Sequence, residues 1–466
     1  MTLHIPFDNS FARLPEAFYA HAKPTPVAQP GLIAFDKALA WELGIEGADD
    51  PRLAQVFAGN LLPEGAEPLA QLYAGHQFGG FTPQLGDGRA HLLGEVIDRA
   101  GIRRDIQLKG SGPTPFSRRG DGRAWLGPVL REYVVSEAMH ALGVPTTRAL
   151  AAVRTGEDIY RERALPGAVL TRVAQSHIRV GSFQVFAARG QDEEIRQLYE
   201  HTLARHYPEA SDPAEMLTHV CARQAALVAQ WMSLGFIHGV MNTDNCTLSG
   251  ETIDYGPCAF MDVYDPDTVF SSIDRHGRYG YSSQADIIVW NMAQLASSLV
   301  PLMPDEDAAV EDFTRIIHAM PDLLRAEWLK RFAAKIGIPD PQPEDARLIA
   351  DLLDLMQAGQ ADFTNTFRTL GTEQARDQFL DRDAFDHWES RWTTRLSDQD
   401  AARALIRQVN PAFIPRNHRI EQMIAAAVEG DDRAFHHMNA VLSRPYDDQP
   451  DAEELTRPPL PAEVVP

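Results

Sequence analysis

Lysine is almost missing from this sequence: of 43 basic residues only five are lysine, namely Lys23, Lys37, Lys109, Lys330 and Lys335. Cysteine is scarce as well. Cys221, Cys246 and Cys258 form an odd set with no C-x-x-C pair, which excludes a disulfide framework and a thiolate zinc site and suits a reducing compartment. No segment approaches the roughly 18 uninterrupted apolar residues of a membrane span, so no membrane partner is expected. The opening MTLHIPFDNSFARLPEAFYAHAKP has no basic stretch followed by an apolar run and no Arg- and Ser-rich texture, and a cytoplasmic location is expected. Excess positive charge is absent too. A formal net charge of −22 argues against nucleic acid as a partner, because such binding neutralises many phosphates, and any anionic ligand must meet a local basic pocket. There is no repeat of the solenoid kind, no Walker or Rossmann fingerprint, and no H-E-x-x-H zinc spacing, His436 and His437 included.

What is present is a chain of 466 residues, long enough for several domains or one large two-lobed enzyme. Its texture changes along the way. From about residue 70 to 175 it is rich in glycine and strand-like runs (HLLGEVI, RDIQLKG, RALAAVRT, GAVLTRVA), interrupted by one helical stretch, GPVLREYVVSEAMHALG, with Gly127 and Pro128 at its start and Gly143 at its stop. From about 192 the pattern turns helical, in EEIRQLYEHTLARHY, AEMLTHVCARQAALVAQWMSLG and SQADIIVWNMAQLASSLVPL. Strands first and helices second predict an α+β fold with a mixed, β-rich lobe over residues 1–175 and a mostly helical lobe over 176–445, crossing near Ala174 to Arg179. The proline-rich, acidic end, residues 446–466, reads as an extended or disordered tail.

Three constellations can carry chemistry. In QLGDGRAHLLGEV, Gly86 and Gly88 flank an acidic residue ahead of a strand, where glycine lets the backbone turn tightly and approach a phosphate. Lys109 closes the next strand-like run, and in a chain that uses arginine almost everywhere a lone lysine marks a place for a compact ammonium, such as a phosphate contact. On the helix that follows, Glu132 and Glu137 point about 140° apart, so only one can face inward; Glu132, beside apolar positions, is the candidate partner of Lys109. The third constellation is GFIHGVMNTDNCTLSGETIDYGP. Set against the kinase H-R-D-x-x-x-x-N and D-F-G motifs, His238 takes the first position, Asn245 the last, and Asp254-Tyr255-Gly256 the second motif, which puts two metal ligands in place. The kinase base is replaced by Val240, and Asp244 is the nearby carboxylate able to take a proton. Asp286 stands where kinases place a buried aspartate that braces this loop, although a helix cap explains it as well. Arg172 and Arg179 bracket the lobe junction, where they could bind phosphate oxygens.

The blocks YAGHQFGGFTPQLGDGRAHLLGE, QLKGSGPTPFSRRGDGRA, LREYVVSEAMHALGVPTTRAL, GAVLTRVAQSHIRVGSF and HGVMNTDNCTLSGETIDYGP resemble the signature blocks of the selenoprotein O (YdiU) family, and the resemblance runs from FDNSFARLPEAFYA to LSRPYDDQP. It implies a protein-kinase-like two-lobed fold that binds ATP in reversed orientation and transfers AMP to Ser, Thr or Tyr hydroxyls of protein substrates. It further implies that Gly86, Gly88, Arg89, Lys109, Asp121, Gly122, Arg172, Arg179 and Asp254 hold ATP, that Glu132 pairs Lys109, that Asn245 and Asp254 hold Mg²⁺, and that Asp244 accepts the proton. The sequence leaves open whether Mn²⁺ replaces Mg²⁺, what the oligomeric state is, and, from the residues alone, the rival readings of a kinase transferring the γ-phosphate or a non-catalytic ATP-binding scaffold.

Many members of that family carry a cysteine or selenocysteine near the C-terminus, whereas the last cysteine here is Cys258. Activity is therefore expected to be the same with and without a thiol reductant in the assay. A large rise on reduction would show that one of the three remaining cysteines regulates.

Overall fold

The computed structural model describes residues 2–465. Twelve strands lie among them: β1 Tyr19–His21, β2 Gly31–Phe35, β3 Leu69–Gln71, β4 Gly75–Gln77, β5 Gly80–Thr82, β6 Ala90–Ile97, β7 Arg103–Lys109, β8 Ala124–Trp125, β9 Arg148–Tyr160, β10 Ala164–Ala174, β11 Phe236–Ile237 and β12 Ala259–Phe260. The main sheet runs β1-β3-β6-β7-β10-β9-β2, with β8 added to β10, and every pairing in it is antiparallel. Three helices accompany the sheet: α1 Lys37–Glu42, α2 Leu53–Phe57 and α3 Leu126–Ala141. After β10 the chain is almost entirely helical, through α4 Val180–Ala187, α5 Asp192–His206, α6 Pro213–Ser233, α7 Gln284–Leu299, α8 Glu306–Lys335, α9 Asp345–Gly359, α10 Phe363–Thr369, α11 Arg382–Arg395, α12 Gln399–Val409, α13 Asn417–Val428 and α14 Arg433–Leu442. The architecture is thus mixed α and β around an antiparallel sheet, and no helix among the described residues is long and apolar enough to cross a membrane.

The sheet is buried on both faces, which is why its strands read as nearly continuous apolar runs. Side chains alternate across a strand, so Leu92 of β6 joins the core shared with α3 while Leu93 joins the core under α1 and α2. Helix α3 lies between β9 and β10 on one side and α13 and α14 on the other. Its burial extends to Val135, Ser136 and Met139, beyond the single apolar stripe that its sequence shows. A further core, built around Phe332, Phe363, Phe367, Trp388 and Trp392, fills the space among α8 to α12.

The end of the chain departs from the expected extended or disordered tail. Residues Pro450–Leu455 form a 3-10 helix whose Ala452 is buried. Side chains from the helices capture the backbone of this segment: Arg368 Nη2 donates to Tyr446 O at 3.1 Å, Arg419 Nη2 to Glu454 O at 2.6 Å and Asn365 Nδ2 to Thr456 O at 3.3 Å. Composition alone favoured a solvated chain, but acceptor carbonyls offered to fixed donors outweigh it.

Lys335, at the end of α8, is buried without an acidic partner among the described residues. Its Nζ donates to Asn410 Oδ1 at 2.7 Å and lies 4.1 Å from the ring centre of Phe367 and 5.2 Å from that of Phe363. Burial pushes its ammonium down to about 7. Between that value and the ordinary lysine value the unfolded chain holds a proton that the folded chain does not, so stability rises with pH across this window and the cost of burying the charge is complete below it. Lys335→Met is expected to melt several degrees above the wild type near neutral pH, with the gap closing as the pH approaches that of a free lysine. An equal gap at both pH values in a thermal melt would show that packing, not charge, is responsible.

Candidate active site

The loop between β11 and β12 carries much of the site. These two short strands pair antiparallel and close a stem, so residues 238–258 are held at both ends. His238 is fully buried; its backbone N–H donates to Gln284 Oε1 at 3.0 Å, and its Nε2 sits 2.8 Å from Ile253 O, tying the outgoing limb of the loop to the returning one. The brace expected from Asp286 comes instead from Gln284. Asp286 lies in the first turn of α7 with its side chain exposed, whereas buried Gln284 also donates to Phe236 O at 3.0 Å. An amide can both accept and donate there without bringing a charge into the core.

Asn245 ends a 3-10 turn, Thr243–Asn245, and its Nδ2 donates to Val240 O at 3.0 Å, which leaves its Oδ1 to the cavity. Nine residues later Asp254 adopts a left-handed conformation, φ +63°, an arrangement rare outside glycine and usually held in place by its surroundings. Here the holders are cations. Asp254 Oδ1 accepts from Lys109 Nζ at 2.6 Å and from Arg172 Nη1 at 2.7 Å, and Oδ2 lies 4.0 Å from Arg179 Nη2. Lys109 Nζ also donates to Glu132 Oε2 at 2.6 Å, and Arg172 Nη1 to Glu132 Oε1 at 3.2 Å. Glu132 is therefore the inward glutamate, while Glu137 meets Arg148 Nη2 at 2.7 Å. Burial alone would raise the Asp254 carboxyl, but Lys109, Arg172 and Arg179 outweigh it and hold it well below the usual carboxylate range.

Strand register explains how this cluster forms. Arg172 on β10 sits directly across from Gln107 on β7, and Lys109 follows two residues later on the same face. Gln107 Oε1 accepts from Arg172 Nη2 at 2.7 Å and its Nε2 donates to Asp87 Oδ2 at 3.2 Å. Arg179 precedes α4, with Nη1 donating to His177 O at 2.9 Å and its guanidinium 4.4 Å from the ring centre of Tyr73. The Nε atoms of both Arg172 and Arg179 are buried without a partner.

Gly86, Gly88, Arg89, Lys109, Asp121, Gly122, Arg172, Arg179, Asp244, Asn245 and Asp254 all line one cavity of ≈ 510 Å³; Glu132 stands behind Lys109. Seven cationic and four acidic side chains line that cavity, so a strongly acidic protein presents an electropositive interior there. Asp121 and Arg89 are exposed at the mouth, and Asp121 pairs with Arg161 at 2.7 Å. The glycines answer first to loop packing: a side chain at Gly86, φ +99°, would meet the Phe116 ring at 2.6 Å, and one at Gly122, φ +67°, would overlap the Gly112 carbonyl.

Asp244 contrasts with Asp254. It makes no ion pair, accepts from Gln77 Nε2 at 3.1 Å through Oδ2, and keeps Oδ1 without a partner. Burial pushes its carboxyl up to about 6. As for metal, no group of three or more His, Cys, Asp or Glu side chains among the described residues could hold an ion. Asn245 and Asp254 supply one amide oxygen and one carboxylate, which fits a hard divalent ion that takes its remaining ligands from phosphates and water. Tyr73, Gln77, Asp87 and Gln107 went unread in the sequence. Only Asp87, between the two glycines, and Gln107, one strand period before Lys109, left a trace there.

Comparison with known proteins adds identity. The family model of "Protein adenylyltransferase SelO" matches residues 1–443. A Ruegeria pomeroyi protein named "Protein nucleotidyltransferase YdiU" is 64% identical over 466 residues, covering 100% of this chain and 99% of that protein. Relatives of the same name from Roseobacter denitrificans and Rhizobium etli are 63% and 58% identical, covering 100% and 98% of this chain and 99% and 96% of theirs.

Gly122→Ala is expected to cost about 1–3 kcal/mol of stability through its left-handed backbone and the overlap with Gly112, and to weaken the thermal shift produced by ATP. Gly256→Ala, where an added Cβ meets nothing within 4 Å, is expected to leave the melting temperature unchanged. Equal melting temperatures for the two variants would show that the loop over Gly122 yields freely.

Proposed function

This chain belongs to the protein adenylyltransferase SelO family, and we propose that its cleft transfers AMP from ATP to serine, threonine or tyrosine hydroxyls of protein substrates, releasing pyrophosphate. One observation carries the reading. Two carboxylates on one loop have opposite surroundings: Asp254 is held ionised among three cations, and Asp244 is buried with no ion pair and one free oxygen. Groups whose environments separate their protonation in this way serve separate roles.

In this reading Lys109, Arg172 and Arg179, which line the cavity, receive phosphate oxygens. Gly86, Gly88, Arg89, Asp121 and Gly122 complete the ATP site, and Glu132 orients Lys109. Asn245 and Asp254 hold Mg²⁺, or Mn²⁺ in its place, which when bound neutralises phosphate charge. The acceptor hydroxyl oxygen attacks the α-phosphorus and its proton passes to Asp244. The new P–O bond forms as the α–β anhydride bond breaks, and pyrophosphate leaves toward the cationic lining. Val240, at the kinase base position, cannot take that proton.

The same residues support a kinase-like division into a β-rich lobe over residues 1–175 and a helical lobe over 176–445. Its support is the order of parts: strand lysine, helix glutamate, loop asparagine, then Asp-Tyr-Gly. A cytoplasmic setting suits three free, buried cysteines.

Paired incubations with the proteins of a cell extract, using ATP labelled on the α- or the γ-phosphate, test the reaction. Label is expected in protein from the α position only, absent with Asp254→Ala, and about 10²- to 10⁴-fold slower with Asp244→Asn, the range for loss of a general base. Label from the γ position alone would make the chain a kinase, and label from neither would make it an ATP-binding scaffold.

A further inference from the structure

The hairpin of β4 and β5 stands apart from the main sheet. It docks on the turn that carries Asp244. His76 N donates to Thr243 Oγ1 at 2.8 Å, and Phe78 N donates to Asn242 Oδ1 at 3.2 Å and to Tyr279 Oη at 3.1 Å. Gln184 of α4 secures both partners: Thr243 Oγ1 donates to its Oε1 at 2.6 Å, and its Nε2 lies 2.8 Å from His76 Nδ1. The hairpin backbone is therefore fixed relative to the turn by bonds that do not involve the Gln77 side chain. That side chain has one recorded partner, Asp244 Oδ2, at 3.1 Å. From the other side Gly75 crowds the same carboxylate, since a Cβ there would lie 2.5 Å from Asp244 Oδ1.

A carboxylate turns easily about its last torsion, which has a broad, two-fold profile. Nothing else among the described residues fixes this one: Asp244 has no salt bridge, and Oδ1 has no donor. An ionised carboxylate only accepts, so the Gln77 amide must present its NH₂ group to Oδ2. That bond sets the plane of the carboxylate, and the absence of a side chain at Gly75 leaves just the space that the buried Oδ1 occupies.

We propose that Gln77 is a positioning residue for the proton acceptor: its amide bond to Oδ2, with Gly75 packed against Oδ1, fixes the plane in which the Asp244 carboxylate meets the incoming protein hydroxyl at the cavity wall. The proposal rests on the reading of Asp244 as proton acceptor. It assigns the GHQFGGFT segment a part in orienting the base, separate from the glycine-rich turn at Gly86 and Gly88. A group held a fraction of an ångström out of line loses much of its catalytic advantage, so the effect belongs in the transfer step and not in ATP binding.

The test uses the full chain, ATP labelled on the α-phosphate and extract proteins as acceptors, with Gln77→Leu and Gln77→Met, neither of which can donate to Asp244, and Gly75→Ala, which crowds Oδ1. Each is expected to lower kcat about tenfold with KM for ATP and the ATP-induced thermal shift unchanged. A kcat at or above the wild-type value in both Gln77 variants overturns the positioning role, as does a rise in KM that accounts for the whole loss. Asp244→Asn, run beside them, separates the two levels. If it transfers AMP at the wild-type rate, the acceptor reading falls and takes this proposal with it; if it is slow while both Gln77 variants run at the wild-type rate, only the positioning role falls.

Discussion

The contact on which the site depends is the bridge that Asp254 makes between Lys109 and Arg172, with Glu132 closing the square on the far side. Its four members come from β7, α3, β10 and the loop before β12, so the cluster forms only when sheet, packed helix and loop are all in place. Burying such charges costs several kcal/mol for each ion, and leaving one unpaired costs about 3–5 kcal/mol. The arrangement is therefore close to all-or-none. That also explains why Asp254 tolerates a left-handed backbone: two short hydrogen bonds to cations hold it where a peptide of the same sequence would relax.

The second constraint is the stem of β11 and β12, which brings Asp244 and Asp254 into one cavity although ten positions separate them. Asp254 is half-buried and Asp244 buried, and one is held down while the other is pushed up. Burial raises both, but three cations surround Asp254 and override it, whereas Asp244 meets an amide and the backbone of Gly75. A fold that gathers cations around one of the two has set apart a carboxylate held ionised from one pushed toward protonation without changing residue type.

Much of this was legible because kinase-like spacing is local. Lys109, Glu132, Asn245 and Asp254 could be read from the order and separation of charged residues within strand and helix patterns, and the strand runs found before residue 175 match β6, β7, β9 and β10. What escaped was neutral or distant. Gln77 and Asp244 lie 167 residues apart, and no periodicity connects a hairpin glutamine to a loop aspartate. Gln284 was passed over for Asp286 because an acidic residue at a helix start is a familiar signal, whereas a buried glutamine gives none. The tail was misjudged for a related reason. Its composition described the segment, but the donors that fix it, Arg368 and Arg419, sit far back in the chain.

The scarcity of lysine follows from the same geometry. Arg172 contacts Gln107, Glu132 and Asp254 at once, and Arg179 lays its plane on Tyr73 while reaching His177 O, arrangements that need a flat, many-donor group. Lys109 fills the opposite requirement, a compact ammonium at 2.6 Å from two carboxylates approaching from different elements. The buried lysine, Lys335, sits by two phenylalanine rings, where its ammonium has one amide acceptor and can shed its proton, a course closed to arginine at any ordinary pH. In a chain that defaults to arginine, half-buried Lys109 and buried Lys335 thus occupy places that suit a small or titratable cation.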